Sequence, residues 1–175
     1  RGMREPVMIR QVSPYTITQD CIGDCSFVSA LCVAAASERP FRRRLLTAII
    51  YPQDSTGRPV VNPSGKYMVK LFLNGVPRKV VVDDRVPVDA RGDLRCARST
   101  NRPELWVSIL EKAYMKLNGG YDFPGSNSGI DMFALTGWIP EQFRTADKDF
   151  EPRRLWERMR SASRSGDCLV TVATG

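Results

Sequence analysis

The sequence contains no histidine. A nucleophile working at neutral pH needs a positioned base, usually histidine, so no Cys–His or Ser–His couple can be assembled from these 175 residues. The same absence removes the commonest metal ligand. Cys21 and Cys25 stand four apart, but no second cysteine pair accompanies them, and no metal site is expected. The chain also lacks a long apolar run. Its longest uncharged stretch, Cys25 to Ser37, falls well short of the ~20 residues that span a bilayer. No basic region followed by an apolar one opens the chain. Neither a membrane span nor a secretory leader is expected. The five cysteines, Cys21, Cys25, Cys32, Cys96 and Cys168, form an odd set without the spacing of a disulfide scaffold, which favours free thiols in a reducing compartment.

The formal charge is +7, much of it from Arg42-Arg43-Arg44, Arg153-Arg154, Arg158, Arg160 and Arg164. No aromatic-interleaved motif of the kind single-strand binders use accompanies them. Solvated outer faces of two helices explain them, and no nucleic-acid partner is expected. At 42% hydrophobic residues the chain carries enough apolar side chains for a real core.

What is present begins at Gln19-Asp20-Cys21-Ile22-Gly23-Asp24, which runs directly into Cys25 and the uncharged stretch after it. A glycine-bearing turn that sets a cysteine at the first turn of a buried helix suits thiolate chemistry. The free N–H groups and dipole of a helix N-terminus stabilise negative charge. Gln19 precedes Cys25 by six residues. Its side-chain N–H₂ is placed to reach back across the turn and donate to a developing oxyanion. Asp24 reads as a helix cap, and Cys32 as an ordinary core cysteine.

The residues up to Asp20 read as irregular. A helix is expected from Asp24 to Glu38, apolar or small all round and therefore buried on every side, stopped before Pro40. A second short helix fits Phe41 to Ile50, and the Pro-, Gly-, Ser- and Asn-rich stretch from Tyr51 to Gly65 reads as a surface loop. Tyr67, Val69, Leu71 and Leu73 alternate in a strand, Asn74-Gly75 is a two-residue hairpin turn, and Val80-Val81-Val82 returns to Asp83-Asp84. That carboxylate pair reads as solvated. A third helix spans Glu104 to Leu117, with Trp106 and Tyr114 in the core, and ends at Asn118-Gly119-Gly120. Pro124-Gly125-Ser126-Asn127-Ser128-Gly129 marks a break. Short helices near Ile130–Leu135 and Pro152–Ser163 and a closing strand, Leu169 to Val172, come after it.

Three blocks in this order resemble the protease core of the calpain family. They are Gln19 with Gly23-Asp24-Cys25, the strand and turn Val80–Pro87, and Glu104-Leu105-Trp106 with Leu110–Gly119, joined by Thr136-Gly137. The segments 65–71 and 120–127 look closest to the atypical, PalB-type branch. The resemblance implies an α+β, papain-like cysteine protease fold: a helical, cysteine-bearing lobe with a β-hairpin, plus the beginning of a β-rich second lobe. Residues 1–128 would form the first protease subdomain and 129–175 the start of the second. The catalytic histidine and asparagine lie far downstream in calpains, which would account for the missing histidine. Carried over by position, Cys25 is the nucleophile, and Gln19 and the Cys25 N–H form the oxyanion hole. Gly125, Ser126 and Asn127 lie near the wall that binds substrate backbone. Ser26 stands where conventional calpains place tryptophan, and the Gly-Gly usual in that wall is missing.

The activity implied is that of an intracellular cysteine endopeptidase acting on polypeptide substrates, with this chain inactive alone. The alternative is a non-catalytic scaffold. PalB-type relatives bind ESCRT-III components through modules outside such a core, so partner binding and an endosome-associated cytoplasmic location fit either role. Conventional calpains place two calcium-binding carboxylates where this chain has Thr16 and Glu104. No cofactor is expected, and calcium binding in this lobe should be weak or absent.

Overall fold

A computed structural model describes residues 5–101 and 103–173. After a 3-10 turn at Pro14–Thr16, the chain forms strand β1 (Ile17–Thr18) and helix α1 (Cys25–Glu38). Strands β2 (Ile50–Tyr51), β3 (Lys66–Leu73), β4 (Val76–Asp83) and β5 (Arg98–Ser99) come next, then helices α2 (Trp106–Leu117), α3 (Ser128–Thr136) and α4 (Pro152–Ser165). The architecture is mixed α+β.

The β-hairpin forms where the alternation places it. β3 and β4 pair antiparallel, with Tyr67 opposite Val82 and Val69 opposite Val80. All four side chains, with Leu71, are buried on one face. Asn74 and Gly75 both take positive φ, 50° and 78°, as a two-residue hairpin turn demands. β2 adds to the outer side of β3, giving the order β2-β3-β4. α2 crosses β3 and β4, and α3 packs against both β3 and α1. The core lies between these layers. Phe27 of α1 stacks on Tyr114 of α2, centroids 4.1 Å apart with 13° between the rings.

Three expectations are corrected. α1 is not buried on every side: Cys25, Ser29 and Ala36 are exposed, and Cys32 and Val33 only half-buried. These positions share one helical face, and their side chains are too small or polar to demand cover. The segment 41–49 is not a helix. Arg42 adopts φ 50°, outside the helical range, and the Glu38 carboxylate accepts hydrogen bonds from the backbone N–H groups of Leu46 and Thr47. A side chain thus satisfies donors that a helix would have used. Residues 169–172 are not a strand either. A strand needs a neighbour to pair with, and among the described residues this segment has none. It is held instead by a hydrogen bond from Thr171 Oγ1 to Ser128 Oγ at 2.8 Å.

The break before α3 does not detach that helix, because α3 lies on α1 and β3. α4 is exposed along its length and carries no buried residue. Its C-terminal end returns to the body of the chain through Arg43, whose guanidinium donates to Gly166 O at 2.6 Å and Asp167 Oδ1 at 2.8 Å.

Candidate active site

Cys25 is the first residue of α1 and its thiol is exposed. The turn before it is fixed from both sides. Gln19 Nε2 donates to Ile22 O at 2.9 Å and to Asp24 Oδ1 at 3.1 Å. Both N–H bonds of the glutamine amide are therefore engaged inside the turn, beside the cysteine it was expected to serve. On the outer side, Asp20 pairs with Arg98 at 2.7 Å and Arg95 at 3.5 Å. The hydrogen bond from Arg98 is the main cause holding the Asp20 carboxyl below the usual carboxylate range.

Asp24 precedes the helix but does not cap it: its side chain makes no capping hydrogen bond. The reason is burial. Asp24 is 0% exposed and its carboxylate turns inward, toward Gln19 and toward Glu111 of α2. Glu111, also 0% exposed, accepts the backbone N–H of Ala97 at 2.7 Å. Ser108, one turn earlier, donates to the carbonyl of Ala97 at 2.8 Å. Two side chains of α2 thus hold both backbone groups of one buried residue next to β5. Burial pushes the carboxyls of Asp24 and Glu111 upward, Glu111 to about 8.

Neither buried carboxylate behind the nucleophile was anticipated as part of the site. The signal was present for Glu111, which follows Val107 at i+4 and precedes Tyr114 at i+3 on the inward face of α2. Asp131 of α3 is the third member, 0% exposed and hydrogen-bonded by the Tyr114 hydroxyl.

The expected substrate wall divides. Gly125 comes to the nucleophile turn: a Cβ at this position would lie 3.8 Å from the Gly23 carbonyl oxygen, and one on Gly23 would lie 3.6 Å from Phe123 O. Residues 123–125 therefore run against the turn that presents Cys25. Ser126 is exposed, its hydroxyl 3.4 Å from Tyr114 Oη. Asn127 is the N-cap of α3 and accepts from Ile130 N at 3.0 Å, which commits its side-chain oxygen to the helix. Trp138 lies beneath Arg43, 5.8 Å from guanidinium to ring centroid.

The two positions corresponding to calcium-binding carboxylates are both engaged with the protein. The Thr16 hydroxyl donates to Ser13 O at 3.0 Å. Glu104 is buried; Oε1 accepts from Arg10 N at 2.7 Å and Gln11 N at 3.0 Å, while Oε2 accepts from Ser99 Oγ. Asp83, at the end of β4, pairs with Lys112 and accepts from Arg85 N, a structural role. Among the described residues no cluster of three or more Cys, Asp or Glu is arranged to hold a metal ion. No described helix is long and apolar enough to cross a membrane.

Comparison with known proteins identifies the family. Calpain-7 of Mus musculus is 55% identical over 176 residues, covering 97% of this chain and 21% of its own length. Calpain-7 of Homo sapiens gives the same figures. The calpain-like protease palB/cpr-8 of Neurospora crassa is 44% identical over 159 residues, covering 90% of this chain and 17% of its own. The chain thus spans about a fifth of the length of the curated relatives it matches. Residues 3–175 match the profile described as "Calpain family cysteine protease". The chain belongs to the calpain family, on its PalB and calpain-7 side.

Proposed function

We propose that this chain is the nucleophile-bearing part of a papain-like cysteine endopeptidase core acting on polypeptides inside the cell. The observation that carries the reading is Cys25, exposed at the first turn of a helix whose other end and inner face are buried. The Cys25 sulfur, its proton lost to a base outside this chain, would bond to the peptide carbonyl carbon, giving an oxyanion stabilised by the Cys25 N–H and the Gln19 amide. Collapse would break the C–N bond and release the amine, protonated by an acid that this histidine-free chain does not supply. Water would then cleave the thioester, regenerating the thiol and yielding a carboxylate. The open face of α1 that carries Cys25, Ser29 and Ala36 leaves room for a second, histidine-bearing lobe, with residues 129–175 leading into it. Residues 123–125, running beside Gly23, would border the bound peptide backbone. No strong calcium site is expected at Thr16 and Glu104, because Thr16 brings no charge and the Glu104 carboxylate already accepts three protein hydrogen bonds.

One observation favours a second reading, a calpain-like scaffold acting through partners in ESCRT-linked trafficking at endosomes. Both N–H bonds of Gln19 are engaged within the turn, so an oxyanion can be served only after one is released. The test is peptidase assay of a form that carries the histidine-bearing lobe, with and without Cys25→Ser. Turnover that disappears in Cys25→Ser supports the enzyme. Folded protein that cleaves nothing and leaves Cys25 untouched by an epoxysuccinyl inhibitor supports the scaffold. The 175-residue chain alone should show no peptidase activity.

A further inference from the structure

Three buried carboxylate oxygens lie behind the nucleophile turn without a donor, the third being Asp131 Oδ2. Asp24 Oδ2 and Glu111 Oε2 are both enclosed, and neither receives a hydrogen bond from any described group. Their partner oxygens are used: Asp24 Oδ1 accepts Gln19 Nε2, and Glu111 Oε1 accepts Ala97 N. A buried acceptor with no donor is costly, and two facing carboxylates without a proton would be costlier still. One proton between them satisfies both atoms. Both residues are 0% exposed and each acts electrostatically on the other, so the two carboxyl groups lie together behind the turn.

We propose that Glu111 and Asp24 share a single proton, held by Glu111, and that this pair positions the Gln19 amide beside Cys25. With Glu111 protonated and donating, Asp24 bears the one negative charge and offers Oδ1 to the glutamine N–H. A charged acceptor binds an N–H more strongly than a backbone carbonyl does. Asp24 therefore retains one N–H, and the other, now on the weaker acceptor Ile22 O, is the one released to an oxyanion. When Glu111 ionises, two anions face each other and the Asp24 carboxylate loses the donor that fixes it. Glu111 and Asp24 are thus positioning residues for Gln19. The catalytic part of the inference rests on the endopeptidase reading; the proton-sharing part does not.

The groups facing the pair define what else can titrate there. Asp131 of α3 faces Asp24, with the Tyr114 hydroxyl bonded to its other side. Asp20 acts on Glu111 from the outer turn, and Arg98 and Arg95 neutralise it. Tyr121 and Cys96 sense the charge of Glu111, and burial holds both above their ordinary values, Cys96 at about 11. Burial is the main cause that pushes the Glu111 carboxyl up to about 8, and the nearby Asp24 charge adds to it.

The test uses this chain, wild type and Glu111→Gln. Glutamine keeps a neutral donor toward Asp24 at every pH. Infrared spectra of the wild type at pH 7 should show a protonated-carboxyl absorption that fades with a midpoint near 8 and is missing in Glu111→Gln. The side-chain N–H₂ resonances of Gln19 should move with the same midpoint in the wild type and stay flat in the variant. Stability should move with it. The folded Glu111 keeps its proton above the ~4.3 of an unfolded glutamate, so the wild type loses stability as pH rises from there through about 8. Glu111→Gln should lack that component. Absence of a protonated carboxyl at pH 7, or Gln19 resonances indifferent to it, overturns the proposal. The wild-type titration stands if the variant does not fold, and Asp24→Asn, which removes the facing negative charge but keeps an acceptor oxygen, should lower the midpoint of that absorption. In a form with the histidine-bearing lobe, kcat should fall through about pH 8 in the wild type but not in Glu111→Gln, with KM unmoved. If that form cleaves nothing, the endopeptidase reading fails while the spectroscopic result still decides the proton.

Discussion

Gly137 closes α3 against the ring of Phe72, so near that a Cβ on the glycine would lie 2.9 Å from the aromatic Cζ. Its φ is +74°, the left-handed conformation that ends the helix with its N–H on Phe133 O. Thr136 beside it donates to Met132 O and accepts the Trp138 N–H, so this pair sets the direction in which the chain leaves α3. Gly137→Ala meets both obstacles. The left-handed backbone costs about 1–2 kcal/mol for a residue with a Cβ, and displacement of Phe72 adds to it. The variant should melt several degrees lower. In the Phe72→Ala background the same change should cost only the backbone part, which a double-mutant cycle by thermal unfolding will resolve.

Cysteine reactivity should divide by position. Cys21 and Cys25 are exposed, whereas Cys96 is buried and its thiol pushed up to about 11. Burial also raises Cys32 and Cys168. Thiolate is the reacting species. Brief treatment of this chain with iodoacetamide at pH 8 should modify Cys21 and Cys25 first, Cys32 and Cys168 more slowly and Cys96 last, as mapped by mass spectrometry. Labelling of Cys96 ahead of Cys25 would contradict the packing of α2 on the segment before β5.

The hairpin and α2 were legible because local pattern and tertiary burial agree there. Tyr67, Val69 and Leu71 alternate and are all buried, and Asn74-Gly75 names its own turn. The non-helix at 41–49 was not legible, since what decides it is the Glu38 carboxylate arriving from the preceding helix. The site divides in the same way. Cys25 and Gln19 announce themselves by spacing and type, as does the family. Asp24 looked like a cap because capping is the usual use of aspartate at that position. Its inward turn depends on Glu111, 87 residues later, and no local pattern reports such a meeting.

Gln19→Glu should be worse for the fold than Gln19→Ala. The amide now donates to two acceptors, Ile22 O and Asp24 Oδ1. A carboxylate there would face both with no proton to offer, and one of them is already charged. Alanine merely leaves them to be resolvated. At pH 7 the glutamate variant should show the lower melting temperature. That deficit should shrink as pH falls, because protonation restores a donor at position 19. Equal melting at neutral pH would show that the Gln19–Asp24 bond is not held in solution. In a form with peptidase activity, either change should lower kcat by about 10²–10³, the usual cost of one oxyanion donor.

Calcium tests the family analogy where this chain departs from it. A calcium site needs six to eight oxygens with lone pairs free, and affinity rises with the number of carboxylates. Thr16 contributes no charge, and its hydroxyl is turned to Ser13 O. Glu104 has the charge, but it already gathers the backbone N–H groups of Arg10 and Gln11 and the Ser99 hydroxyl. Those protein donors take three of the roughly four acceptor positions the carboxylate offers, and a cation would have to displace them. The carboxylate joins the N-terminal segment to the turn before α2, together with the Leu105 and Trp106 N–H bonds to Met8 O. Calorimetric titration of this chain should therefore give no heat of binding at micromolar calcium, and its melting temperature should not rise with calcium. Glu104→Ala should destabilise the calcium-free protein, by about 1–3 kcal/mol for each donor left buried and unpaired. A micromolar, stoichiometric site abolished by Glu104→Gln, with the calcium-free variant as stable as the wild type, would show instead that Glu104 is free to turn toward an ion.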